Sequence, residues 1–357
     1  MIEVKHLTKR YGNNTAVDDI SFSVKPGMIY GFLGPNGAGK STTMNIITGC
    51  LAATEGTVTI NGHDVFEEPL EAKKHVGYLP ELPPLYAEMT PAEYLRFVAE
   101  AKGVSKEEMD YQLSYVMEKT QITSMQDRLI KNLSKGYRQR VGVAQAMLGN
   151  PEVIILDEPT VGLDPGQIIE IRDLIKSLAD EHHTVILSSH ILSEVSAVCD
   201  YVMIISHGRL IASDTIDNLS TILVGSRVLH LTVKGDLNRI RQVINRLADQ
   251  AKTIRYEESS EDRGIDVYDI DIEVEKDIDL RETAFRLFCD AKCVILKLYA
   301  ETIGLEDVFL KLTREYDEQY RVEQRLAALD QEENAFAPKE DDRPADDSGD
   351  NDPRPVM

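Results

Sequence analysis

Up to about residue 216, short apolar runs punctuate the chain. The runs at 29–33, 153–156, 185–187 and 202–205 are continuous rather than alternating. Continuous runs predict strands buried on both faces. Helical patterns follow several of them, notably from Lys40, Gly166 and Ile191. Strand then helix, repeated, predicts a largely parallel sheet covered by helices. Residues 2–24 alternate instead and predict antiparallel strands, while 91–147 predicts a helical insertion.

A second unit is predicted at 225–316. It has a strand at 227–233 and a helix at 237–248 with Ile240, Val243, Ile244 and Leu247 on one stripe. Strands at 253–258 and 266–273, a helix at 280–289 and a strand at 293–298 follow, then a helix at 305–316. The order βαββαβ, plus a helix, is the split-βαβ ferredoxin-like plan. A charged helical stretch runs to about Glu333. The remainder is rich in Asp, Pro and basic residues, a composition that predicts disorder. The expected division is therefore 1–216, containing the helical part at 91–147, then 225–316, then a charged, largely disordered tail at 317–357. The tail reads as a solvated terminus or as an acidic interaction segment.

The chain has 357 residues and a net charge of −22. That balance argues against non-specific nucleic-acid binding and against a basic membrane-surface patch. No signal-type segment or apolar stretch of spanning length is seen, so a cytosolic location is expected, with any membrane role supplied by a partner. The four cysteines, Cys50, Cys199, Cys289 and Cys293, match no zinc spacing. Reduced, packed thiols are expected; a metal pair at Cys289 and Cys293 is the alternative.

Gly34-Pro35-Asn36-Gly37-Ala38-Gly39-Lys40-Ser41 fits G-x-x-x-x-G-K-[ST] between an apolar strand and a helix. Its glycines let successive N–H groups turn toward phosphate oxygens, and the next helix adds its positive end. Together with Thr42, these residues are the expected nucleotide cradle. Lys40 reaches the β- and γ-phosphates, and the Ser41 hydroxyl ligates Mg²⁺. The strand 153–156 ends in Asp157 and Glu158. Asp157 is expected at the metal, and Glu158 is expected to orient the attacking water. The class so far is P-loop NTPase, with ATP and Mg²⁺ as expected substrate and cofactor.

Further motifs narrow the class. Leu133-Ser134-Lys135-Gly136-Tyr137-Arg138-Gln139-Arg140 precedes a helical run and resembles the L-S-G-G-Q signature of ATP-binding-cassette (ABC) proteins. Gly162-Leu163-Asp164-Pro165 resembles the D-loop, and Ser188-Ser189-His190 the switch-histidine segment. The order and spacing match an ABC transporter ATP-binding subunit. The resemblance implies an ABC cassette with a mixed sheet core, an antiparallel β subdomain and a helical subdomain. It implies a head-to-tail dimer in which Ser134, Lys135, Gly136 and Asp164 of one chain cover the nucleotide held by the other. It implies that Tyr11 stacks on adenine and that His190 meets the γ-phosphate. A structural Tyr11 is the rival reading.

Two positions depart from the family pattern. Glu81 stands where Gln is usual, and a carboxylate there still ligates Mg²⁺. Lys135 replaces a signature glycine and adds positive charge near the γ-phosphate. The form L-S-K-G-Y-R-Q-R, with Tyr78-Leu79-Pro80-Glu81 upstream, resembles the branch serving separate six-helix permeases in bacterial exporters. The stretch from Gly304 to Thr313 resembles the C-terminal extension of that branch. This implies a transmembrane permease partner, a homodimer or a heterodimer with a related cassette, and a place on the cytoplasmic face of the cell membrane. Leu85, Tyr86, Met89, Tyr94 and Phe97 lie where that family docks a permease helix. The rival functions are a soluble ABC ATPase acting on ribosomes or DNA, and an ATP-binding regulatory module with weak hydrolysis.

Overall fold

The computed structural model describes residues 2–336, except 182, 224–226, 260–265, 276–277 and 302–304. The chain opens with β1 (Ile2–Tyr11), β2 (Asn14–Val24), β3 (Ile29–Leu33) and α1 (Lys40–Ile47). Next come β4 (Glu55–Ile60), β5 (His63–Asp64), α2 (Pro69–Lys74) and β6 (Val76–Leu79). The helical insertion is α3 (Pro91–Ala101), α4 (Lys106–Lys119) and α5 (Lys135–Met147). β7 (Val153–Asp157), α6 (Pro165–Asp180), β8 (Thr184–Ser189), α7 (Leu192–Val198) and β9 (Tyr201–Ser206) then alternate. β10 (Arg209–Thr215) and α8 (Ile216–Leu223) follow.

Two sheets build this part. One is antiparallel, in the order β2-β1-β4-β5. The other has the order β10-β9-β3-β8-β7-β6. Its strands are parallel except β10, which returns antiparallel along β9. The sheet is therefore mixed. Both of its faces are covered, which explains the continuous apolar runs. Ile154, Leu156, Val185 and Leu187 enter a core shared with the helical insertion, α6 and α7. Val153, Ile155 and Ile186 enter a second core, against Ile2, Val4, Leu7, Val58 and Ile60 of the antiparallel sheet. The register aligns the carboxyl ends of β3, β8 and β7: Leu33 opposes Ser189, and Asp157 opposes Ser188. Ligands of covered parallel sheets collect at that edge.

β10 was not among the predicted strands. It is half-buried along most of its length and carries no apolar run. An edge strand paired on one side offers no such signal.

The later unit contains β11 (Arg227–Lys234), α9 (Leu237–Leu247), β12 (Thr253–Glu258), β13 (Val267–Val274), α10 (Arg281–Asp290) and β14 (Val294–Glu301). Its antiparallel sheet has the order β12-β13-β11-β14, the arrangement of a ferredoxin-like sheet. The α9 stripe, Ile240, Val243, Ile244 and Leu247, packs with Leu229, Leu231, Val233, Ile270 and Phe288 in a third core.

The last helix, α11 (Leu305–Phe336), differs from expectation in what it packs against. Its Val308, Phe309 and Leu312 join the core of the helical insertion and α6, not that of the ferredoxin-like unit. It continues unbroken past 316/317 into the tail segment, in line with the charged helical stretch expected to about Glu333. Residues 337–357 of that tail, and Gly304, lie outside the described residues. Contacts divide the chain into Met1–Thr313 and Arg314–Met357.

Candidate functional site

The loop after β3 turns sharply into α1. Gly39, the residue before the helix, has φ 105. A Cβ there would collide with the carbonyl of Ala16, so the turn needs glycine. No side chain caps α1, and no acid stands in its first turn. The positive helix end is thus left to an anion.

Asn36, Gly37, Gly39, Lys40, Ser41 and Thr42 line a cavity of about 460 Å³, closed by Glu81, Glu158, His190, Ala16 and Val161. Gly34 and Pro35 lie behind it and offer their carbonyls to Lys40 Nζ at 2.8 and 3.3 Å. Ala38 is buried, and its N–H donates to the Pro35 carbonyl. Lys40 Nζ also stands 3.5 Å from Glu158 Oε1, and both side chains are almost wholly buried.

Glu158 is held in a costly conformation. Its φ is 49, a left-handed value for a non-glycine residue. Its N–H donates to the Ser188 carbonyl at 3.2 Å and to Ser188 Oγ at 3.0 Å. Ser188 Oγ in turn donates to Asp157 Oδ1. One serine at the end of β8 therefore fixes both acids at the end of β7. The left-handed kink swings Glu158 into the cavity while Asp157 stays buried at the strand end. Nδ1 of His190 lies 3.0 and 2.9 Å from the two Glu158 carboxylate oxygens. Burial, reinforced by Asp157, pushes the nearby Tyr78 phenol up, so it stays neutral; its hydroxyl donates to Asn45 Oδ1 at 3.2 Å.

The other predicted residues stand apart from this cavity. Tyr11 is half-exposed at the β1–β2 turn, with the Lys9 ammonium 5.1 Å from its ring centroid. Ser134 caps α5 by accepting from the Tyr137 N–H at 3.3 Å. Lys135 is exposed in the first turn of α5, and its ammonium lies so close over Gly162 that a Cβ there would strike it. Gly136 is buried against Gln167. Asp164 caps α6, accepting from the Gln167 N–H at 2.9 Å. These residues form a second cluster around the N-termini of α5 and α6. Ala16 and Val161 line the cavity without any signal of their own in the sequence. Ala16 is placed by β-sheet packing against the Gly39 turn, a contact no local pattern reports.

Among the described residues, no three His, Cys, Asp or Glu side chains converge to hold an ion. Asp157, Glu81 and the Ser41 hydroxyl offer only oxygen, and too few donors for a closed cage. That set fits a hard cation, such as Mg²⁺, that completes its shell with phosphates and water.

The family model described as ABC transporter matches residues 17–161. An uncharacterised ABC transporter ATP-binding protein of Bacillus subtilis (strain 168) is 42% identical over 216 residues, covering 59% of this chain and 68% of that protein. The bacitracin transport ATP-binding protein of Bacillus licheniformis is 35% identical over 320 residues, covering 87% of this chain and 97% of that protein. A dimeric structure of a bacterial ABC transporter cassette is 26% identical with a TM-score of 0.56, covering 60% of this chain and 98% of that one.

Proposed function

The chain belongs to the ABC transporter family as an ATP-binding, ATP-hydrolysing subunit, and on that premise we propose that it drives export through a separate transmembrane permease. The observation that carries this reading is the convergence of Lys40, Glu158 and His190 on one cavity at the uncapped end of α1. The Bacillus licheniformis relative is named for bacitracin transport, which supports the transporter role. No helix among the described residues is long and apolar enough to cross a membrane, so the path for cargo is assigned to the partner.

Each residue has a task set by its position. The amides of 36–42 and the α1 end hold the β- and γ-phosphates. Lys40 trades its contact with Glu158 for the phosphate oxygens. Glu158, freed toward the γ-phosphate, orients and polarises the attacking water. His190 keeps that carboxylate aimed and donates to the γ-phosphate region. Ser41, Asp157 and Glu81 would hold Mg²⁺, which when bound neutralises phosphate charge. The cluster at Ser134, Lys135, Gly136 and Asp164 faces no nucleotide of its own chain. It serves as the lid on ATP held by a second copy or a related cassette. Binding of two ATP closes that dimer, hydrolysis reopens it, and the permease converts the cycle into alternating access.

The partner surface is the loop before α3 and α3 itself. Tyr94 is buried, and Leu85 and Met89 are half-buried in the core, so they are structural. Leu82, Tyr86 and Phe97 are exposed, with the Tyr86 and Phe97 rings 5.5 Å apart. An exposed aromatic pair of this kind suits a permease helix at the cytoplasmic face. The proposed division is a cassette over 1–216, completed by the start of α11, and an accessory ferredoxin-like domain from residue 225 to the end of β14.

The deciding experiment purifies the tagged chain from detergent-solubilised membranes and identifies stoichiometric partners. A six-helix membrane protein supports the transporter motor. Ribosomes, or no membrane partner, move the chain to the non-transport ATPases.

A further inference from the structure

A buried carboxylate outside the cavity has no part in the scheme above. Glu194 lies in the first turn of α7 and is only 5% exposed. A carboxylate in so dry a place is costly unless hydrogen-bonded. Its Oε2 accepts the hydroxyl of Thr160, and it receives that of Ser189 at 3.5 Å. Both hydroxyl residues are themselves buried. Ser189 Oγ also accepts from the Ile191 N–H at 3.0 Å, which folds the chain tightly around His190.

The placement of the two hydroxyls gives this contact its meaning. Thr160 lies two residues past Glu158, on the loop leaving β7 toward Gly162 and Asp164. Ser189 is the last residue of β8 and immediately precedes His190. The strands are hydrogen-bonded neighbours up to Asp157 and Ser188. Beyond that pair the ladder between the two strands ends. Ser188 holds the Glu158 backbone, and Glu194 holds hydroxyls of the two loops that carry Glu158 and His190.

We propose that Glu194 is a positioning residue for ATP hydrolysis: its carboxylate ties the Thr160 loop to the Ser189–His190 segment and so holds Glu158 and His190 in their mutual geometry. Glu194 does not line the cavity, so it acts through those two residues and not on the nucleotide. By the same link, a displacement of the loop carrying Gly162 and Asp164 is passed to His190. This rests on the reading that Glu158 and His190 serve the hydrolytic step.

The test measures steady-state ATP hydrolysis by the full chain, with kcat and KM separated, for Glu194→Ala in the parent and in a His190→Ala background. The expected result is a kcat lowered at least about tenfold with KM within about twofold, and a loss below about threefold in the His190→Ala background, because residues acting as a unit are non-additive. Glu194→Gln, which keeps an acceptor oxygen, restores most of the rate. A kcat within about twofold of the parent, or the same fold-loss in both backgrounds, overturns the proposal. Should Glu194→Ala not yield folded protein, Thr160→Val, which removes the hydroxyl and keeps the shape, is judged by the same criteria. Glu158→Gln reports separately on the underlying reading, because parent-like hydrolysis there sinks the role of Glu158 whatever Glu194 does.

Discussion

Lys40 Nζ and Glu158 Oε1 lie 3.5 Å apart across the floor of the cavity, both side chains being at most 7% exposed. The pair joins the phosphate loop to the end of β7. A γ-phosphate and Glu158 compete for the same ammonium, and their like charges repel. Glu158→Gln removes that repulsion while Lys40 keeps the carbonyls of Gly34 and Pro35. The expected outcome is a kcat reduced at least about 100-fold with ATP binding equal or tighter. Phosphate release and nucleotide titration check both halves, and weaker ATP binding would contradict the repulsion argument.

Asp164 is a helix cap in this structure, whatever it meets in a dimer. Its side chain accepts the Gln167 N–H at 2.9 Å, and Pro165 occupies the first helical position. Asp164→Ala is expected to cost about 1 kcal/mol of stability in urea unfolding, and Asp164→Asn much less. ATP binding by the isolated chain should change little, because the residue stands off the cavity. A large loss of monomer ATP affinity would place Asp164 closer to the nucleotide than the geometry does.

Thiol accessibility gives a third check, and here the structure departs from the sequence expectation. Packed thiols are the expectation for Cys289 and Cys293, yet Cys289 is exposed, as is Cys50, while Cys199 and Cys293 are buried. Burial pushes both the Cys199 and Cys293 thiols up, Cys199 the more strongly. A thiolate-directed reagent at neutral pH should therefore label Cys50 and Cys289 promptly and reach the other two only on unfolding. Rapid labelling of Cys199, which packs under Gly31 between β3 and α7, would mean that this core opens readily.

What was legible in the sequence follows from where the signal is local. The strands carrying Leu33, Asp157 and Ser189 are buried on both faces, so each left a continuous apolar run that placed the loops at its end. Lys40, Ser41 and Glu158 were named because a spaced motif follows such a run. The α9 stripe and the βαββαβ order were readable from local periodicity, helical spacing in the one and strand-length runs in the other. The left-handed φ of Glu158, the Ser188 hydrogen bonds and the Glu194 link were not, since each joins residues about thirty positions apart or depends on backbone strain with no composition signature. Tyr11 is an exposed ring with the Lys9 ammonium 5.1 Å from its centroid, and no local pattern in the sequence says what it stacks on. The packing partner of the helix from Leu305 is not legible, because its apolar residues, Val308, Phe309 and Leu312, say only that one face is buried, not against what.

The same distinction between burial and its partner bears on the proposed permease surface. Tyr86 is half-exposed and rests edge-on against buried Tyr94, 5.8 Å between centroids, with the Phe97 ring 5.5 Å away. Tyr94 is anchored in the core by a hydrogen bond from its hydroxyl to Gln145 Oε1 at 2.5 Å. The exposed pair is thus presented on a rigid base, as a docking hot spot requires. Phe97→Asp and Tyr86→Ser replace exposed rings, so each should change stability by no more than about 1 kcal/mol. Hydrolysis by the free chain should stay near the parent rate, because neither residue approaches the cavity. Recovery of the membrane partner in pull-downs should fall at least about tenfold, as loss of an aromatic anchor worth about 2 kcal/mol would produce. Undiminished recovery with both rings removed would mean that the permease docks elsewhere on the helical insertion.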